Sequence, residues 1–234
     1  LGILPDDPAR TAAALAEAAH DHDLLLTSGG VSTGDEDHVR TAIEAGGRLV
    51  FWRLAVKPGR PAAMGILPRA GADFAAGGTP VVGLPGNPVA AVVCFLHLAR
   101  PLLLRLAGAE DRALPRFVVT ADFAYRKKAG RSEYVRVTLA TEDGRTRARK
   151  FPREGAGLLT SLTESHGFAE LPETVTGVAP GDSIMVLPFA GLLGLAASSR
   201  VSARAGWAAA GAVLAAGPLA VGAWAWGGNL LPWA

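Results

Sequence analysis

Apolar positions in the first half of the chain fall into two rhythms. Short unbroken runs, "DLLLT" (23–27), "RLVFWRLAV" (48–56), "PAAMGIL" (61–67) and "TPVVGL" (79–84), have the length and β-branched content of strands buried on both faces. The opening "LGIL" is read as a further strand. Between the runs the spacing is helical. In "PDDPARTAAALAEAAHDH" (5–22), Asp7 suits a helix cap and Pro8 the first helical position, with Leu15, Ala16 and Ala19 on one apolar side. A second helix runs through Ile43 and stops at Gly46-Gly47. The turn "PGNP" (85–88) opens a long third one, "VAAVVCFLHLARPLLLRLAG" (89–108). Strand and helix in alternation predict an α/β domain over 1–108, a parallel sheet with helices on both faces.

Beyond Gly108 the pattern changes. "RFVVTADFAY", "SEYVRVTLAT" and "DSIMVLPF" alternate or are β-branched, and "EDG" (142–144) is a turn between strands. No long helix is expected over 116–188, so 115–190 reads as a small all-β, barrel-like domain. A hydrophobic tail follows over 195–234. Its segment 205–226, "AGWAAAGAVLAAGPLAVGAWAW", carries no charge, with Arg200 and Arg204 before it and Trp224, Trp226 and Trp233 at its far end. That pattern reads either as a transmembrane segment or as a disordered extension.

Composition narrows the classes. Half of the 234 residues are hydrophobic and the net charge is +2, too small a surplus to mark a nucleic-acid surface. Cys94 is the one cysteine, so no internal disulfide is expected and its apolar surroundings suit a buried small side chain. With no leader segment recognisable, a cytoplasmic location is expected, with membrane contact only through the tail. The chain opens on Leu1, and the expectation is that it starts inside a domain, lacking a first strand–helix unit.

Candidate chemistry gathers in loops that leave strands at their carboxyl ends, where open α/β sheets bind ligands. "SGGVSTGDED" (28–37) offers backbone N–H groups and hydroxyls at a helix start, a setting that favours anions. "KPGRP" (57–61) adds Lys57 and Arg60, formal charges suited to phosphate or another oxyanion, with Pro58 and Pro61 restricting the loop. Asp6, Asp35 and Asp37 could hold a hard divalent cation. The five histidines show no metal-ligand spacing with Cys94, and no nucleophile elbow or Walker loop is present.

Taken in order, "SGGVSTGDEDHVR", "FWRLAVKPGRP" and "GLPGNPVAAVVCF" strongly resemble the molybdopterin molybdotransferase family, MoeA and the related gephyrin E domain. "GRSEYVRV" (130–137) and "GAGLLTSLTESHGFAELP" (155–172) look like that family's C-terminal barrel, and the resemblance extends from Leu1 to Leu193. It implies a reaction in molybdenum cofactor biosynthesis: molybdate is inserted into adenylylated molybdopterin and AMP is released, with Mg²⁺ as cofactor. It also implies residues. Asp6, Asp37, Lys57 and Arg60 are the catalytic set, and Asp6 with Asp37 holds the metal. Ser28, Gly29, Gly30, Ser32, Arg53, Pro85, Gly86, Asn87 and Arg136 contact the pterin substrate or molybdate. Ala90 and Ala156 stand where some members have serine. The family's two N-terminal domains have no counterpart here, and its cleft forms across a homodimer, so this chain alone is expected to be inactive. A molybdopterin adenylyltransferase is the implied upstream partner. The competing readings are an adenylyltransferase-like enzyme, which shares the "SGG" loop but lacks "LPGNP" together with a barrel, and a non-catalytic gephyrin-like scaffold.

Overall fold

The computed structural model describes residues 2–32, 37–69, 77–109, 113–190 and the strand at 213–216. Asp35, expected as a possible cation ligand, lies within 33–36, outside the described residues, as does nearly all of the tail.

Helix α1 (Pro8–Asp21) starts as its sequence dictates: Asp7 caps it, its Oδ1 accepting from the Arg10 amide at 2.7 Å, and proline stands in the first turn. Its buried side is Thr11, Leu15, Ala18 and Ala19, whereas Ala16 is exposed. Strand β1 (Leu25–Ser28) and helix α2 (His38–Gly46) follow, the helix closing at Gly47. The run "RLVFWRLAV" divides into β2 (Arg48–Trp52) and β3 (Val56–Lys57), because Arg53 takes a positive φ of 74° and breaks the extended chain. Then come β4 (Ala63–Pro68), β5 (Gly78–Leu84) and the helix α3 (Pro88–Leu106), whose middle turn, Phe95–Ala99, is π-helical. Residues 2–4 form no strand.

With Val213–Ala216 as β13, the first sheet has the order β13-β1-β5-β4-β2, and it is mixed rather than parallel. β1 and β5 run parallel, but β4 is antiparallel to both β5 and β2. The reason is connection length: the links from β2 to β4 and from β4 to β5 are shorter than the dozen or so residues that a parallel crossover takes, so these neighbours pair antiparallel. Helices α1 and α2 bury Leu15, Ala19, Val39 and Ile43 against Leu25, Ala63 and Val81. The alternate residues of the same strands, Leu24, Leu26, Val82 and Leu84, join Cys94 and Ala99 of α3. Strand β13 (Val213–Ala216) pairs parallel with β1. These four residues lie inside 205–226, the segment expected to cross a bilayer, and they are extended in a sheet. Among the described residues the only helix long and apolar enough to span a membrane is α3, which packs into this core.

The second part holds β6 (Phe117–Ala121), β7 (Tyr125–Arg126), β8 (Ser132–Glu142), β9 (Arg145–Lys150), β10 (Gly167–Leu171), β11 (Gly177–Val178) and β12 (Ser183–Pro188). Its main sheet runs β10-β12-β6-β9-β8, and β8 pairs again with β10, which closes a barrel. Asp143 and Gly144, at φ 52° and 72°, make the two-residue turn from β8 to β9, the left-handed geometry that asparagine, aspartate and glycine supply most easily. Helix is confined to one turn, Thr160–Thr163.

Two features join the parts. β3 pairs parallel with β8, with Lys57 opposite Glu133. A shared core also sets Val89, Val93 and Leu96 of α3 against Leu114, Phe168 and Leu187. At its margin His97 stacks on Tyr134 at 4.6 Å, and its Nε2, shielded and without a hydrogen bond, lies 3.8 Å from Glu170, which Arg116 also holds. Burial lowers the His97 pKa below its ordinary 6.5, and Arg116 adds to that, while Glu170 only partly opposes it. The unfolded chain therefore binds the proton more readily than the folded one. The contribution of neutral His97 is intact above about pH 6.5 and is lost as pH falls through the lower folded value. His97→Phe keeps the ring stack and removes the proton. The slope of unfolding free energy against pH, between about pH 6.5 and 5, should be shallower in that variant.

Candidate functional site

The "SGG" loop and the "LPGNP" loop lie against each other. The Gly29 amide donates to Leu84 O at 2.8 Å, and a Cβ on Gly86 would stand 3.7 Å from the Gly29 Cα. The Ser28 hydroxyl points at Pro85 O, at a long 3.5 Å. Gly30 has a φ of +70°, and a side chain there would meet Val39 Cγ2 at 2.8 Å, so the loop needs glycine to reach α2 this closely. Asp37 stands at the cap of α2 with its carboxylate accepting from the Ser32 amide at 2.7 Å. Asp6 lies 3.2 Å from His38 at the same helix start. Thus Asp6, Ser28, Gly29, Gly30, Ser32, Asp37, Pro85 and Gly86 belong to one neighbourhood. Asn87 begins α3 with no side-chain cap bond and an exposed side chain.

Arg53 reaches this neighbourhood through an aromatic ring. The Trp52 indole donates to Val31 O at 2.9 Å, and the guanidinium carbons of Arg53 and Arg40 sit 4.0 and 4.4 Å from its centroid. A ring holding two cations adds positive charge beside a loop of backbone donors, the chemistry of an anion cradle. Arg40 was not among the residues expected from sequence; it stands in the "DHVR" that opens α2.

Lys57 and Arg60 belong to a different recess. A cavity of about 420 Å³ is lined by residues Leu54 to Pro61 together with Gly130 and Arg131 of the barrel. The Lys57 ammonium lies 3.3 Å from Glu133 and 3.2 Å from the Tyr125 hydroxyl. Burial would lower its pKa, but Tyr125 and Glu133 together outweigh this and raise it, so Lys57 is a firm cation. Sequence reasoning passed over Arg131, Glu133 and Tyr125. The signal was present in "GRSEY", where Arg131 and Glu133 stand two residues apart at the start of β8.

Arg136 does not join that recess. Along β8 the buried positions are Glu133, Val135 and Val137, and Arg136 projects from the other face. Its guanidinium donates to Gly155 O at 2.8 Å and to the Ser161 hydroxyl at 2.6 Å. The loop it holds supplies Ala156 O to the Val89 amide at the start of α3. As for a metal, no group of three or more His, Cys, Asp or Glu side chains is gathered among the described residues.

Known proteins match both parts of the chain in the same order. Residues 1–105 match a family described as "Probable molybdopterin binding domain", and residues 118–189 match "MoeA C-terminal region (domain IV)". The "Molybdopterin molybdenumtransferase" of Haemophilus influenzae is 34% identical over 196 residues, covering 83% of this chain and 46% of that protein. "Molybdopterin molybdenumtransferase 2" of Mycobacterium tuberculosis is 32% identical over 187 residues, covering 77% and 44%. Gephyrin of Dictyostelium discoideum is 34% identical over 115 residues, 46% of this chain and 16% of its own. The solved MoeA protein of Pyrococcus horikoshii superposes with a TM-score of 0.62 at 28% identity, covering 80% of this chain and 42% of the other. The chain spans about half the length of the curated relatives it matches. The fold and the two matched regions together define an α/β domain of the molybdopterin-binding type joined to a β-barrel. Within that class, the chain belongs to the MoeA family of molybdopterin molybdenumtransferases.

Proposed function

We propose that this chain carries the molybdate-insertion site of molybdenum cofactor biosynthesis, acting on adenylylated molybdopterin with release of AMP. The observation that carries the reading is the recess at the domain junction. It places Lys57, Arg60 and Arg131 around a volume of about 420 Å³, room for a small tetrahedral oxyanion beside a larger ligand. The glycine-rich cradle, with Arg40 and Arg53 on Trp52, suits the phosphate end of a nucleotide-bearing substrate. Asp6 and Asp37 supply oxygen ligands at that cradle. Two carboxylates completed by substrate phosphates is a donor set that Mg²⁺ accepts, and the ion would neutralise phosphate charge there. Homodimer formation, delivery of substrate by an adenylyltransferase and a cytoplasmic setting are parts of the same proposal.

Titration with inorganic molybdate tests the recess directly. Lys57→Ala and Arg60→Ala should each weaken molybdate binding by about 1.5–3 kcal/mol, the worth of a hydrogen bond to a charged group. Binding of the adenylylated pterin should change less, because the cradle is untouched. If pterin affinity collapses while molybdate affinity holds, the two residues serve the nucleotide end and this assignment is wrong.

A further inference from the structure

Glu133 is a fully buried carboxylate, 1% exposed, paired with Lys57 and Arg131, two side chains that line the recess. Burying a charge is expensive, and a well-packed apolar side chain usually serves stability as well or better. Its position calls for another account. Glu133 lies opposite Lys57 in the strand pair that, among the described residues, joins the two domains, and Arg131, just before β8, reaches it from two residues away. Its carboxylate takes the Tyr125 hydroxyl at 2.7 Å, the Arg131 Nε at 2.8 Å and the Lys57 ammonium at 3.3 Å. Tyr125 closes the set by also accepting from Lys57 at 3.2 Å. Both cations that Glu133 holds line the recess.

We propose that Glu133 is a positioning residue of the oxyanion recess, whose buried carboxylate holds Lys57 and Arg131 on its wall in the arrangement that receives a tetrahedral dianion. The proposal rests on the molybdate reading above. Charge counting fits it: three cations, Lys57, Arg60 and Arg131, against one carboxylate leave two positive charges for an anion carrying two negative ones. Without Glu133 the ammonium and the guanidinium repel each other and swing toward solvent, where exposed side chains have ample rotamer freedom. The hydrogen bonds of Tyr125, Arg131 and Lys57 hold Glu133 ionised, its pKa lowered although burial alone would raise it.

A positioning role and mere charge balance have opposite signs. Glu133→Gln keeps the shape and removes the charge. If Glu133 only dilutes the positive field, that variant binds a dianion more tightly. If it positions the cations, binding weakens by about tenfold or more, and Glu133→Asp recovers part of the loss. Calorimetric titration of inorganic molybdate into the purified chain and both variants, at fixed ionic strength and with folding checked by circular dichroism, separates these. Tyr125→Phe, which keeps the carboxylate and removes one Lys57 contact, stands in should Glu133→Gln fail to fold; a weaker dissociation constant is expected there too. An unchanged or tighter dissociation constant in a folded variant, beside a wild type that binds, overturns the assignment of Glu133 alone. A wild-type chain that takes up no molybdate overturns the oxyanion reading of the recess and this proposal with it.

Discussion

Replacing Phe168 with alanine is expected to lower the unfolding free energy by about 3–5 kcal/mol, the usual cost of emptying an aromatic from a core. Phe168 is fully buried where barrel and helix meet, edge-on to Tyr134 at 6.3 Å and to Phe189 at 4.8 Å. Val89, Val93 and Leu96 of α3 share its cluster, while Cys94 and Ala99 of the same helix pack into the α/β sheet. A cavity at Phe168 therefore loosens the helix that, among the described residues, belongs to both cores. Urea denaturation of Phe168→Ala should show the barrel and the α/β part melting as two transitions, where the wild type melts as one. Val118→Ala is the control, since Val118 is 62% exposed and should move stability by no more than about 0.5 kcal/mol. A loss below about 1 kcal/mol for Phe168→Ala would mean the junction repacks, and the shared core is not what couples the parts.

Much of the molecule was legible along the chain, for identifiable reasons. "TPVVGL" and "DLLLT" read correctly because a strand covered on both faces is apolar without interruption. Asp7-Pro8 marked a helix start because cap and first-turn chemistry are local. The direction of β4 was not legible, since a period of two residues carries no polarity and the short links on either side of it fix its direction. β9, "RTRARK", was implied by the "EDG" turn before it and not by its own pattern, because only Ala148 of its six residues is buried. The strand break at Arg53 has no local signal either, as arginine is not a residue that favours positive φ. The site divides along the same line. Loops that announce themselves by glycine and proline were found, and the partners that orient them were not. Glu133 and Tyr125 meet Lys57 only because β3 leaves its own sheet and pairs with β8, a contact between positions 68 and 76 residues apart (125 − 57 and 133 − 57). A resemblance transfers residues one by one, and Arg136 shows how a matched residue can take on local duties that the motif does not reveal.

Arg136→Ala is accordingly expected to act on stability before it acts on any ligand. The guanidinium makes two well-formed hydrogen bonds, to Gly155 O at 2.8 Å and the Ser161 hydroxyl at 2.6 Å, and leans over Phe151 at 5.8 Å. Hydrogen bonds involving a charged group are worth about 1.5–3 kcal/mol each and are not additive at one side chain, so a total loss of about 3 kcal/mol is expected. Lysine cannot reproduce the planar fork, and Arg136→Lys should recover only part of this. The effect should travel. Freed from Arg136, the loop no longer holds Ala156 O against the Val89 amide at 3.1 Å, and the first turn of α3 loses that acceptor. Hydrogen exchange at Val89 should therefore speed up in Arg136→Ala far more than at Val93, which sits deeper in the same helix. The opposite result is equally readable: unchanged stability and unchanged Val89 exchange, together with weakened molybdate binding, would make Arg136 a direct ligand and return it to the role the family resemblance implies.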